Sequence, residues 1–440
     1  MRTARRSDKL PLADGINRWL ELAALICLLV LAGLVTTSQA ETKNTCVDCH
    51  SSMDGNLKVT SDQYSQDVHA QKGFTCAACH GGDPADESPD AMSPKKGFRG
   101  HIDRKQVPQV CAKCHSDASF MRNYNPSLRT DQYSQYQTSI HGKRLAAGDS
   151  NVAVCTDCHG LHGIRPPSDP RSKVHPLKIA DTCSSCHSNR EKMKAYNIST
   201  DQFAGYSVSV HHEAMTVRGD LSAPTCTTCH GNHGATPPGV ASVENVCSTC
   251  HVFQQQLFDK SPHKAAFTAM GKPGCVTCHS NHRIVHPSDA MVGGGKDAVC
   301  TNCHSSGDAG FAAAEKMRAG MKNLADAIDA SQALLDKAEN GGMEVSESKL
   351  ELVSARDDLT KARVTLHSFD PAKVEADLKK GMDVAAKTQK AGVEALHERD
   401  RRRMGLGASL FAILAVLVGL KMAITEVDKR KNGNPEDYQG

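Results

Sequence analysis

Cys46-Val47-Asp48-Cys49-His50 is the first of nine stretches of the form Cys-x-x-Cys-His. The first cysteines are Cys46, Cys76, Cys111, Cys155, Cys183, Cys226, Cys247, Cys275 and Cys300. The second cysteines are Cys49, Cys79, Cys114, Cys158, Cys186, Cys229, Cys250, Cys278 and Cys303. Each is followed directly by a histidine: His50, His80, His115, His159, His187, His230, His251, His279 and His304. The series takes 18 of the 19 cysteines, and Cys27, inside an apolar run, is left as a small hydrophobic residue. A zinc knuckle needs Cys-x-x-Cys in partnered pairs but no histidine after each, a redox pair appears once, and a disulfide framework has no fixed doublets. What requires all three residues at this spacing is covalent attachment of c-type haem: two thioether bonds to the porphyrin and a proximal imidazole on the iron.

Only 39% of residues are hydrophobic and 4% aromatic, which alone would bury a thin core. Nine porphyrin plates, one for roughly every 29 residues between 46 and 304, supply apolar surface that the side chains do not. The haem region is therefore predicted to be mainly α-helical and irregular, packed on haem. A net charge of +3 without long single-sign blocks gives no sign of nucleic acid as a partner.

Two apolar segments bracket this region. Residues 1–40 carry Arg2, Arg5, Arg6 and Lys9, an apolar run from Leu22 to Val35, and Ser38-Gln39-Ala40, a small-x-small cleavage pattern. They are predicted to be a signal peptide, with an uncleaved N-terminal membrane anchor as the alternative. Residues 404–425 form a second apolar stretch, flanked by Arg399, Arg401, Arg402 and Arg403 before it and Lys429, Arg430 and Lys431 after it. It is predicted to be a transmembrane helix. Thioether haem attachment belongs to the exported side, so the expected arrangement is a haem domain (41–308) facing the periplasm of a bacterium and a cytoplasmic tail (426–440). Neither apolar segment contains a histidine, so no membrane-embedded b-type haem is expected on this chain.

The nine motifs resolve into one single and four pairs, each pair opened by an aromatic residue five positions before a histidine. These are Tyr64 with His69, Tyr136 with His141, Tyr206 with His211 and Phe258 with His263. A unit of about 50 residues repeated this way predicts a chain that grows lengthwise. The opening histidines are candidate distal iron ligands. So are His162, His233 and His282, each three residues after a proximal histidine, and His101, His175 and His286, which precede the second motif of a pair. With His212, these make 11 non-motif histidines for nine irons between residues 41 and 310, enough for every iron to be bis-His, six-coordinate and low-spin. His367, in a break between helices, is a further candidate, whereas His397 reads as solvated. No motif departs from Cys-x-x-Cys-His, which favours electron transfer over catalysis at a special haem.

After His304 the composition turns to Ala, Glu, Lys, Asp and Leu. Met317, Met321, Leu324, Ile328, Ser331, Leu335 and Ala338 make a coiled-coil seam ended by Asn340-Gly341-Gly342. Leu352, Ala355, Leu359, Ala362 and Leu366 continue it on a second helix, for which Ser348-x-x-Glu351 is the expected cap. Asp370-Pro371 should start a third helix bearing Val374, Leu378, Met382 and Ala385 and running on toward the membrane span. The expected result is an antiparallel three-helix stalk over 309–403.

The paired motifs, with Cys-His-Gly-Leu-His (158–162), Cys-His-Gly-Asn-His (229–233) and Cys-His-Ser-Asn-His (278–282), resemble the bacterial multihaem cytochrome c superfamily. With the stalk and the terminal span, the chain is similar to membrane-anchored multihaem subunits found beside quinol-oxidising cytochrome b complexes. The resemblance implies nine haem c, other periplasmic cytochromes and a quinol-oxidising membrane complex as partners, and electron transfer to acceptors outside the cytoplasm. The alternative it carries is an oxidoreductase of hydroxylamine oxidoreductase or tetrathionate reductase type, acting on a small nitrogen or sulfur compound at one open haem. The third repeat, with no histidine between His233 and Cys247, is the place expected for that. Direct quinol oxidation at a membrane-proximal haem is a third expectation.

Overall fold

The computed structural model describes residues 44–432. The expected signal peptide or anchor (1–40) and the end of the tail lie outside the described residues. The chain is mainly helical, with no strand among the described residues. It divides into two compact units, one holding residues 44–130 and 149–172, the other residues 131–148 and everything from Lys173 onward.

The first unit carries the four motifs from Cys46 to Cys155 on short helices joined by irregular chain, such as Thr45–His50, Val107–His115 and Cys155–His159. Arg104 ties this unit internally. Its guanidinium forks onto Asp157 (3.1 and 2.7 Å), inside the Cys155 motif, and donates to the carbonyl oxygens of Ser150 and Val152. Buried apolar side chains here are scattered (Val107, Met121, Val152, Val154).

The second unit carries the five motifs from Cys183 to Cys300 and the stalk. The stalk helices are Ala309–Asn340, Ser346–Thr365 and Pro371–Asn432. The whole seam read from the first helix is buried, as are Leu352, Ala355, Leu359 and Ala362 on the second and Val374, Leu378 and Ala385 on the third. Two details differ from expectation. The second helix starts at Ser346, two residues before Ser348, because Glu344 accepts the Ser346 N–H (3.0 Å) and ends the turn there. Met382 is 37% exposed, because its neighbour Gly381 faces the seam and its bare backbone lets Leu324 close the gap. Asp370 starts the third helix as expected, accepting the Ala372 N–H at 3.0 Å.

The third helix runs unbroken for 62 residues, about 93 Å at 1.5 Å per residue. Its outer part holds an 18-residue window of mean hydropathy 2.2, none of it buried against protein, so it is long and apolar enough to cross a membrane.

Asp377 locks the stalk's polar edge. It is 7% exposed, accepts the Thr365 hydroxyl (2.7 Å) and pairs with Lys361 Nζ (2.8 Å). Burial pushes its carboxyl up, but these donors outweigh burial and hold it below the usual carboxylate range. The stability it adds is present above the unfolded carboxylate pKa of about 3.9 and disappears as pH falls through the lowered folded value. Asp377→Ala is expected to cost roughly 1–3 kcal/mol at neutral pH. Urea unfolding in detergent, followed by helical circular dichroism, should show that loss shrinking in acid.

Candidate functional site

Most of the motifs end a short helix, as in Cys155–His159, Cys226–His230, Gly274–His279, Val107–His115 and Pro176–His187. A helical turn puts residues i and i+3, the two thiols, on one face and sets the histidine next to them. Several of these imidazoles are oriented through Nδ1: His50 on the Leu57 carbonyl (2.8 Å), His80 on the Gly100 carbonyl (3.1 Å) and His304 on the Asp308 carboxylate (3.1 Å). An Nδ1–H held this way leaves Nε2 as the nitrogen that can bind a metal.

The residue after the proximal histidine then turns the chain in the first motif of every pair. Gly81, Gly160 and Gly231 have φ of 72°, 94° and 79°, and Ser280 occupies the same place with φ 65° and ψ −174°. This is a region open almost only to glycine. The turn explains why a histidine recurs three residues after the proximal one: the chain reverses and sends it away from its own motif.

Where those histidines go is the central observation. Seven imidazole pairs stand opposite one another across a gap at varied ring tilts, each matching a motif histidine with a non-motif one. The opening histidine of each repeat faces the second proximal histidine of the same repeat: His69 with His115 (ring centres 6.1 Å apart), His141 with His187 (6.2 Å), His211 with His251 (6.4 Å) and His263 with His304 (6.0 Å). The post-motif histidines face the first proximal histidine of the preceding repeat: His80 with His162 (6.3 Å) and His230 with His282 (5.9 Å). His279 faces His367 (6.1 Å). Two imidazoles on opposite sides of one metal ion, each bonded at about 2 Å, with ring centres about 1.1 Å behind the nitrogens, stand roughly 6.2 Å apart. The observed gaps span that value.

The remaining candidates are placed differently. His159 and His233 are half-buried, and the His233 backbone N–H donates to Asn232 Oδ1 (2.9 Å). His175 is buried at the start of the Pro176–His187 helix, where its Nδ1 accepts the Leu177 N–H (3.3 Å). His101 and His286 are exposed, and none of these last three makes a ring contact with a motif histidine among the described residues. His212 packs edge-on against Tyr206, and His397 is exposed on the stalk.

Burial pushes the imidazoles of His162, His187, His211, His230, His263, His279, His282 and His367 below their ordinary pKa, which favours the neutral form that ligates metals. Among the described residues no group of three or more His, Cys, Asp or Glu is placed to hold a metal ion by itself. The 18 described cysteines are unbridged. A cavity of about 540 Å³ beside His282 is lined by Asp201, Gln202 and Arg283, and Gln202 Oε1 is buried there with no hydrogen-bond partner. An unpaired acceptor at the edge of such a space suits a site that takes a bound group more than a packed core.

The thiols also order the motifs. The Cys46 thiol lies near that of Cys76, and the Cys111 thiol near that of Cys155. In the second unit Cys183 meets Cys226, and Cys247 meets Cys275. Burial raises the Cys79 thiol, with Cys111 and Cys114 near enough to add to the shift. Burial pushes Cys229 up to about 11, with Cys247 and Cys250 adding, and Cys278 up to about 11, with Cys300 and Cys303 adding. Within each unit, motifs consecutive in sequence are neighbours in space.

Two local signals explain the opening histidines. A serine two positions earlier caps the helix that carries three of them: Ser139, Ser209 and Ser261 are all buried, and Ser139 and Ser209 accept the N–H of Gly142 and His212. Asp67 does the equivalent for His69, accepting its N–H (2.8 Å) and lying 3.0 Å from its Nδ1. The aromatic residue of the repeat clamps the strand of chain before the first motif. Tyr64 donates to the Phe74 carbonyl (3.1 Å), Tyr206 to the Pro224 carbonyl (3.0 Å), and Phe258 packs on Gly274.

Ser280→Gly should relieve the one non-glycine turn of the set and stabilise the protein by about 1 kcal/mol. A rise in the thermal midpoint checks this, and an unchanged or lower midpoint contradicts the strain assigned to Ser280.

No family model, curated protein or solved structure matches this chain.

Proposed function

We propose that this chain is a nonahaem c-type cytochrome, held to a membrane by its third stalk helix, that passes electrons between a quinol-oxidising membrane partner and acceptors outside the cytoplasm. The observation that carries it is the set of imidazole pairs at metal-bridging separation, each with its motif histidine beside two thiols. Haem iron, when bound, supplies the one-electron chemistry. Cys46 and Cys49, and the corresponding pairs up to Cys300 and Cys303, would fix each plate by thioether bonds, and the following histidines would take one axial position.

His69, His141, His162, His211, His263 and His282 would take the other. Two imidazoles held this way would leave no open position for substrate on a bound haem, which suits electron transfer. Pairs of nitrogen ligands without thioether sulfur also favour low potentials. Within each unit, neighbouring motifs would hold successive haems close, which is what a relay needs. The long apolar helix supports membrane anchoring; a bacterial cytoplasmic membrane with an exported haem region is proposed because thioether attachment of haem belongs to the exported side.

A second reading adds substrate chemistry at one iron. It draws on His50: among the described residues no imidazole ring lies against it, and Cys49 beside it is exposed. The third repeat does not carry that reading, since its His251 faces His211. Turnover with nitrite, hydroxylamine or tetrathionate would favour the oxidoreductase.

Expression in a host that attaches haem c is expected to give nine haems per chain by pyridine haemochrome and a mass raised by nine haems. The denatured protein should then show no reactive thiol except Cys27 where that segment is retained. Bound zinc, or 18 titratable thiols in such a host, would overturn the proposal.

A further inference from the structure

Repeat logic leaves one histidine without a successor. The first proximal histidines His80 and His230 each face a ring delivered by the next repeat, His162 and His282. His279 belongs to the last repeat, and no further motif follows that could deliver its partner. The ring opposite it comes from the stalk: His367, 6.1 Å away and tilted only 20°, on the 3-10 turn Leu366–Ser368 between the second and third stalk helices. His367 Nδ1 lies 3.0 Å from the Val364 carbonyl, so its Nε2 is the free nitrogen, the same arrangement seen at His50 and His80.

The same elbow reaches a second site. Phe369 follows with φ 53° and ψ 30°, a left-handed conformation that a phenylalanine rarely adopts, and its ring lies 3.9 Å from that of His263. His263 faces His304, and His304 in turn contacts Asp308, the residue that caps the first stalk helix by accepting the Phe311 N–H (2.7 Å). The elbow is fastened by a fork from Arg363 onto Asp289 (2.9 and 2.8 Å), in the segment between the last two motifs.

Resting on the haem reading above, we infer that His367 is the distal ligand of the iron at Cys275, so that the stalk completes the last haem module. Phe369 and Asp308 then position the two histidines of the neighbouring iron. The relay thereby ends on the helix hairpin that leads to the membrane helix, and the ordering of the stalk and the ligation of the penultimate iron become one event.

His367→Ala in the full-length haem-loaded protein should keep nine haems but convert one from low-spin to high-spin. Electron paramagnetic resonance of the oxidised protein should show the new signal. The reduced variant should bind one more carbon monoxide per chain than the parent, and added imidazole should reverse both effects. That reversal would separate a lost ligand from a merely loosened elbow. Nine haems with unchanged spin state and unchanged carbon monoxide uptake would overturn the inference while leaving the haem reading intact. A chain without covalent haem fails the haem reading itself.

Where the alanine variant does not accumulate, His367→Met keeps an axial donor. It should raise the potential of one haem out of nine, since Met/His ligation lies higher than bis-His. A redox titration superimposable on the parent's would overturn the inference.

Discussion

The opposed imidazole pair is the feature around which the motif segments of each unit are arranged. The large buried apolar cluster of this protein lies in the stalk, built from Met321, Leu324, Leu335, Leu352 and their neighbours. The motif region buries its apolar side chains singly or in small groups such as Ala214, Met215 and Ala223, and its helices are mostly one or two turns long. Helices that short do not hold themselves in water. Seven pairs of rings instead stand opposite one another between segments that are distant in sequence, such as His80 and His162 or His230 and His282. A plate clasped between the rings would supply the apolar surface that these segments lack.

The pairing has two rhythms, and they interlock. The opening histidines close a repeat on itself, while the post-motif histidines reach back to the repeat before. Within each unit one such link is made between repeats, His80 with His162 in the first and His230 with His282 in the second. The thiols follow the same order: Cys111 lies near Cys155, Cys183 near Cys226 and Cys247 near Cys275.

Much of this was legible in the sequence because covalent chemistry imposes fixed spacing. The stalk seam was legible because its 3.5-residue period is long and uninterrupted, and Met382 misled only because Gly381 beside it carries no side chain to count. The opening histidines and His162 and His282 were recognised from position. Their partners were not, since reaching back by one repeat follows from the backbone turn at Gly81, Gly160, Gly231 and Ser280 and not from any residue pattern. His101, His175 and His286 share a position in sequence, yet one is a buried helix cap and two are exposed. His367 lay outside the motif region altogether, where the repeat offered no register to place it.

The central claim is that the facing rings hold iron on both sides. Near-infrared magnetic circular dichroism of the oxidised, haem-loaded protein measures this most directly, because the charge-transfer band reports the axial ligand pair of low-spin haem. The account predicts a spectrum dominated by bis-imidazole ligation, integrating to at least seven haems per chain. A spectrum dominated by His/Met or high-spin haem would contradict it.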